Sequence, residues 1–538
     1  MSTGQVRMRL PLGAMLAAAL LLAACAQTPP PAAPYRFTVL HTNDHHGRFW
    51  RNADGEAGLA ARKTLVDQVR AELAAQGGAV LLLDAGDVNT GTPESDLLDA
   101  EPDFRGMTLL GYDAMAVGNH EFDKTPAVQA RQREAWSGFP WLSANVQREG
   151  RPLFEPYRLF PLGPLRVAVL GLTTEDTARM GVGARHPGLH FERPADSARQ
   201  WLPALRGQAD MVIVLSHMGH YADGRHGSSA PGDVELAREV SGIDLIVGGH
   251  SHSIVCLQAD GRPVERHRPG DDCRPDRQNG AWIVQSGDRG RYLGRADFEW
   301  RDGRLTLLRY AQLPVNLRGA PAGAAVAEDA AVLGALGPLA ERSRSGLSVV
   351  LGRIVGHFDG ERDSVRRRAT NLGALITQTM QEAARADVAL TSSGGIRDSL
   401  REGHLRLADL LQVMPFGNRL VVVTMSGAEL ADYLLAAARK TPGSGAFAQY
   451  RGARFRFDGQ QLLDLRIGGR ALDPAARYRL ALTSFVAGGG DGYPDLRSHP
   501  GYVDTGHIDV ALLREHIERR GGTLNAADYG AAPAEIAP

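Results

Sequence analysis

The chain has 538 residues, and its 60 Lys and Arg nearly cancel its 61 Asp and Glu, leaving a formal charge of −1. The length leaves room for roughly two to four domains and an ample core. The near-zero charge excludes bulk attraction to nucleic acid or to an anionic membrane as the organising property.

The amino terminus reads as a targeting segment. Arg7 and Arg9 form a basic start, and residues 10–24 are apolar but short for a membrane span. The run closes on Leu22-Ala23-Ala24-Cys25, which resembles a bacterial lipoprotein cleavage box. That reading makes residues 1–24 a signal peptide, Cys25 the lipidated first residue and residues 25–34 a Pro-rich tether. Ordinary cleavage in the same Ala-rich stretch, leaving a soluble periplasmic protein, is the alternative.

Four apolar runs follow, at residues 37–40, 80–83, 211–215 and 245–247, and they read as buried strands of a mainly parallel sheet. Metal-binding side chains stand at or near their ends: Asp44-x-His46, Asp87, His217 and His250-x-His252, with Asn119 in a fifth segment, AVGNHEFD. Sites in open α/β sheets form where strands end, so ligands distant in sequence converge there. The set is carboxylate, imidazole and one neutral amide, with no cysteine. It suits two divalent ions such as Mn²⁺, Zn²⁺ or Co²⁺ better than a thiolate zinc site. Asp87 falls between the two groups and is the candidate bridge. His120, with Asp123 three residues on, is a candidate non-ligand imidazole held by a carboxylate, suited to steadying phosphoryl charge or protonating a leaving oxygen. His41, His45 and His220 lie in the same segments and are left out. Strand alternation turns His45 away from the face of Asp44 and His46.

Cys256 and Cys273 bracket a polar excursion just after the last ligands. In an exported protein they form a bridge that closes this loop, or else remain two free thiols. Strand–helix alternation continues through residues 297–300 and a hairpin turn at 301–303. Residues 324–344 then predict a helix joining two units. The second unit starts at residues 347–355 and continues with strands and helices at 371–384, 388–390, 407–411, 420–424 and 427–437. It carries Arg362, Arg366 and Arg397, suited to phosphate, and Phe416 and Phe485 beside glycine-rich turns, suited to stacking on a flat base. Asn418 can read a base edge and Asp491 a ribose. The run GGGDGYP lacks the features of a P-loop and reads as the turn that presents Phe485 and Asp491.

From residue 35 to residue 529 these segments resemble the 5′-nucleotidase family, in particular its bacterial periplasmic UDP-sugar hydrolases. The resemblance implies an α/β fold: an N-terminal calcineurin-like metallophosphoesterase sandwich of mixed sheets flanked by helices, then a C-terminal α/β (α+β) substrate-binding domain. The implied units are residues 35–323, a linker helix at 324–345, residues 346–530 and a tail at 531–538. It implies one metal on Asp44, His46, Asp87 and His252, and a second on Asp87, Asn119, His217 and His250. His120 and Asp123 match the family's catalytic pair. Arg362, Arg366, Arg397, Phe416, Asn418, Gly445, Phe485 and Asp491 match its nucleoside-binding positions, and Cys256 and Cys273 match a cysteine pair. The close bacterial members can carry Gln where this chain has His252, which bears on metal preference.

The expected activity is release of phosphate from 5′-nucleotides and cleavage of the pyrophosphate of UDP-sugars, outside the cytoplasm. The expected enzyme is a monomer with two Zn, Mn or Co ions, binding no nucleic-acid polymer and meeting a membrane only through Cys25. The rivals are a 2′,3′-cyclic phosphodiesterase/3′-nucleotidase, which Thr370-Asn371-Leu372-Gly373 does not separate, and a non-catalytic nucleotide-binding lipoprotein.

Overall fold

The computed structural model describes Met1 and residues 34–530, apart from 180–181, 183–185, 222–224, 227–229 and 265. The leader, Cys25, nearly all of the tether and the tail lie outside the described residues.

The predicted apolar runs are strands, but they belong to two six-stranded sheets rather than one. The first contains Tyr35–Thr42, Ala79–Asp84, Ala114–Ala116 and Trp141–Leu142 in parallel, with Tyr292–Arg301 and Arg304–Pro314 added antiparallel at one edge. The second has a parallel core of Ala281–Val284, Leu245–Val247, Met211–His217 and Leu165–Thr173, with antiparallel edges. Alternation decides which layer each side chain joins. Phe37, Val39, Leu81 and Leu83 meet Val167, Val169, Ile213 and Leu215 between the sheets. Leu40, Leu82 and Met115 point outward into a helical layer. Every strand in this core is thus covered on both faces, which is why the runs read as continuous rather than alternating hydrophobicity. The hairpin turn at residues 301–303 forms as expected, with Asp302 and Gly303 both left-handed, at φ 49° and 76°.

The joining helix runs Ala330–Leu347, starting six residues later than its composition suggests. Asp329 sets the start by accepting a hydrogen bond from Val332 N at 2.9 Å. Val332, Leu336 and Ala340, one helical face, pack into the first lobe's helical layer, so this helix is part of the first lobe's packing rather than a free spacer.

In the second lobe, Ala448–Arg451, Val388–Ser392, Arg477–Thr483, Arg419–Ser426 and Tyr502–Ile508 form a five-stranded sheet. Asn371–Ala384, Leu407–Val413 and Asp509–Arg519 cover one face, and Gly427–Ala438 covers the other. The lobes meet where Pro93–Asp96 touches Leu407–Val413 and Glu175–Arg179 touches Gly490–Gly492.

Candidate metal centre and cleft

The strand ends of both sheets open on one edge of the sandwich, and the seven ligand positions expected from sequence gather there. His46 Nε2 lies 3.9 Å from Asp87 Oδ2 and 4.0 Å from Asp44 Oδ1. His252 Nε2 lies 3.5 Å from Asp44 Oδ1, and His217 Nε2 lies 3.0 Å from Asp87 Oδ2. Donor atoms of Asp44, His46 and His252 form one tight group, and those of Asp87, His217 and His250 another, each within 4.8 Å. Asn119 Oδ1 is buried beside them and finds no hydrogen-bond partner among the described residues.

The backbone is bent to achieve this. Asp44, His46, Asp87, His250 and His252 all have left-handed φ, between 50° and 78°. Each such residue costs of order 1 kcal/mol unless its surroundings compel it. Here they do: Asp44 N donates to Gly86 O at 2.9 Å and His46 N to Asp87 O at 3.0 Å, tying two ligand loops together. His250 N donates to the Asp44 carboxylate at 3.0 Å. A Cβ on Gly118 would collide with the Asp87 carboxylate, which accounts for the glycine before Asn119.

The donor set fits cations. His46 Nδ1–H donates to Thr90 O at 2.7 Å, His217 Nδ1–H to Ala85 O at 2.6 Å, and His252 Nδ1 faces Asp288 Oδ2 at 3.3 Å. Each bond turns the Nε2 lone pair inward. His46 Nε2 and His252 Nε2 consequently lie 3.0 Å apart, a contact of two lone pairs that positive charge relieves. Electrostatics point the same way. Burial works against charge on His217, yet Asp87 outweighs it and the pKa rises to about 10. Burial pushes the Asp44 carboxyl up to about 7, opposed by His217.

His120 Nδ1 lies 2.6 Å from Asp123 Oδ2, and Asp123 also accepts from Thr90 Oγ1 at 2.7 Å. Burial lowers the His120 pKa, but the neighbouring Asp123 and Asp87 raise it on balance. The excluded histidines do lie elsewhere. His41 stacks on Tyr310, His220 meets Asp276 at 2.8 Å, and His45 points into the protein toward Asp103 at 3.0 Å.

Above the centre, a cavity of about 600 Å³ runs between the lobes. Asp87, Asn119, His120, His250 and His252 line one side. Arg362, Arg366, Arg397, Phe416, Asn418, Gly445, Phe485 and Asp491 line the other. Arg362 reaches within 3.4 Å of His252 Nδ1. Burial, then neighbouring guanidiniums, lowers Arg366 to about 9 and Arg397 to about 10, a clustering of cations that favours an anion. Gly490 has no Cβ because the Phe485 ring lies 2.7 Å from where one would be, and Asp491 beside it is left-handed at φ 55°. Phe416 and Phe485 both line this cavity, and Phe416 also lies on His120, centroids 5.7 Å apart and planes at 15°, with Arg397 5.6 Å from its centroid.

Sequence reasoning passed over the groups that hold this site. Glu121, fully buried, accepts from the backbone N–H of Asp87 at 3.0 Å, Val88 at 2.9 Å and Gly118 at 2.7 Å. Arg62, also fully buried, donates to Tyr112 Oη at 3.1 Å and faces His45 Nδ1 at 3.3 Å, while Ser95 Oγ donates to Asp103 at 2.6 Å. The only signal for Glu121 was its place in GNHEFD. Arg62 sits in a helix whose sequence gives no hint of its burial.

A buried carboxylate–imidazole centre at the open edge of a two-sheet sandwich, roofed by an arginine-bearing lobe, defines a metal-dependent hydrolase of the metallophosphoesterase class. Residues 37–253 match the calcineurin-like phosphoesterase family, and residues 350–498 match the 5′-nucleotidase C-terminal domain. The chain is 47% identical over 502 residues to protein UshA of Escherichia coli, covering 90% of this chain and 91% of that protein. It is 45% identical over 529 residues to the 5′-nucleotidase of Vibrio cholerae, covering 94% and 96%. The crystal structure of a 5′-nucleotidase precursor from Thermus thermophilus is similar at TM-score 0.76 and 31% identity, covering 93% of this chain and 98% of that one. The chain belongs to the 5′-nucleotidase family.

Proposed function

We propose that the chain releases phosphate from 5′-nucleotides and cleaves the pyrophosphate of UDP-sugars. The observation that carries this is the single cavity in which the metal-ligand cluster faces three arginines, two phenylalanines and a buried amide. Asp44, His46, Asp87 and His252 would hold one divalent ion and Asp87, Asn119, His217 and His250 a second, with Zn, Mn or Co suiting the donors. Bound there, the ions supply Lewis-acid stabilisation and acidify a coordinated water.

The chain's own residues divide the remaining work. Arg362, Arg366 and Arg397 hold the phosphates against the centre. His120, kept in orientation by Asp123, steadies charge on the transferring phosphoryl group or protonates the leaving oxygen. Asn418 Oδ1, buried with no hydrogen-bond partner among the described residues, would accept from a base edge, and Asp491 would accept from ribose. Phe416 and Phe485 grip the base. Residues 35–323 with helix Ala330–Leu347 would form the chemical lobe, and the rest the recognition lobe.

Export is supported by the leader and by the Cys256–Cys273 disulfide. We read Cys25 as a lipid-anchor site, and the mass of the mature amino terminus distinguishes it from a plainly cleaved form. The function itself is tested by assaying metal-reconstituted protein on UDP-glucose, 5′-AMP and a 2′,3′-cyclic nucleotide. Turnover of the first two is expected. Turnover of the cyclic nucleotide alone overturns the reading, and no product with Mn²⁺, Zn²⁺ or Co²⁺ leaves a binding protein.

A further inference from the structure

Cys256 and Cys273 are bonded to each other, 17 residues apart in sequence, and both are nearly inaccessible, at 2% and 8% exposure. A third metal-binding side chain stands over the bond. The donor atoms of Cys256, Cys273 and His267 all lie within 4.8 Å of one another. His267 is held edge-on to Tyr292, with centroids 5.1 Å apart and planes at 80°. Both its ring nitrogens are buried and neither has a hydrogen-bond partner among the described residues. An imidazole left unsatisfied in this way carries a desolvation cost that its hydrogen bonds do not offset. None of the three residues lines the cleft, so the described site has no use for this arrangement.

We propose that reduction of the Cys256–Cys273 bond converts these three residues into a separate Cys₂His site for a soft cation such as Zn²⁺. A dithiol reductant supplies two electrons and two protons and leaves as its own disulfide. The cation then displaces the two thiol protons, the two thiolates and one His267 nitrogen bind it, and a water completes a tetrahedral shell. Sulfur donors separate this site chemically from the oxygen- and nitrogen-lined centre in the cleft, which favours harder ions. Burial lowers the His267 pKa below its ordinary value, keeping the ring in the neutral, ligating form. The oxidised chain would carry only the cleft metals, and the reduced chain one more.

The test is a cobalt titration of the full-length protein, oxidised and after treatment with a phosphine reductant, followed by absorbance and by metal analysis. A thiolate-to-cobalt charge-transfer band and one additional cobalt per chain are expected in the reduced form only. His267→Ala should weaken that extra binding roughly tenfold or more, and Cys256→Ser/Cys273→Ser should abolish the band. Because reduction itself could loosen the fold, Cys273→His provides a bridge-free version needing no reductant. It should show the band through Cys256, and adding His267→Ala should remove it. Equal cobalt content in both redox states with no band in either the reduced protein or Cys273→His overturns the proposal. So does a band indifferent to His267→Ala.

Discussion

The two walls of the cleft are built on opposite plans. The metal wall is made of ligands on strained backbone, with left-handed φ at five of its seven positions, and its loops are stitched together by main-chain bonds and by the buried Glu121. The recognition wall is made mostly of side chains on short helices and turns, with Asp491 its one left-handed non-glycine position among those expected from sequence. Arg362 and Arg366 sit on and beside the four-residue helix Arg362–Val365, and Phe485 sits on Ser484–Ala487. The first wall is rigid because its geometry is over-determined. The second rests on individual side chains, among them Phe416, which packs on His120. Chemistry that needs atoms placed within a fraction of an ångström is built into backbone, and tolerance for different nucleotides is left to rotamers.

The largest effect that would sharpen this contrast is at the proposed bridge. Asp87→Asn keeps a side chain that tolerates left-handed backbone but removes the charge, and kcat should fall by about 10³-fold or more. Bound metal, measured by elemental analysis, should drop with it. Near-normal activity with full metal content would break the assignment.

A smaller effect is expected on the recognition wall. Phe416→Ala/Phe485→Ala should raise KM for a nucleotide roughly 5- to 150-fold, from about 1–3 kcal/mol of stacking per base. Hydrolysis of a nucleoside-free phosphate ester should be unchanged, with metal content intact. Equal losses on both substrates would show that the two walls are not separable.

The smallest effect concerns Asp509, 5% exposed and bonded to Asn418. Burial raises its carboxyl from 3.8 to about 7, against bonds from Val510 and Asn418. The native state therefore keeps a proton that the unfolded chain has released, and Asp509 costs stability as pH rises from about 4 to about 7. Asp509→Asn should remove that decline, by up to a few kcal/mol, visible as a urea midpoint that falls less between pH 5 and pH 7.5. An unchanged slope would assign the decline elsewhere.

The sequence was most legible where one residue type does one job. Helix Asn371–Ala384 has the bounds its pattern predicts, because Thr370 caps it by accepting from Gly373 N. The candidate ligands were legible only jointly: a lone Asp or His after a strand is usually a cap or turn residue, whereas five such segments in one chain are hard to read that way. Helix Ala330–Leu347 was misplaced at its start because an Ala-rich run extends helical composition past the Asp329 cap. The apolar runs alone read as one sheet because a strand's sequence does not name its neighbours, and the sandwich of two sheets came from the family resemblance. Arg62, Asp103 and Glu121 were invisible because a buried charge has no periodic signature, and their partners are supplied by distant segments.

The left-handed ligand positions also restrict what selection or engineering can do here. Asn, Asp, His and Gly tolerate that backbone, whereas branched side chains do not. Retuning this enzyme toward another ion is thus confined to a narrow alphabet at these five positions.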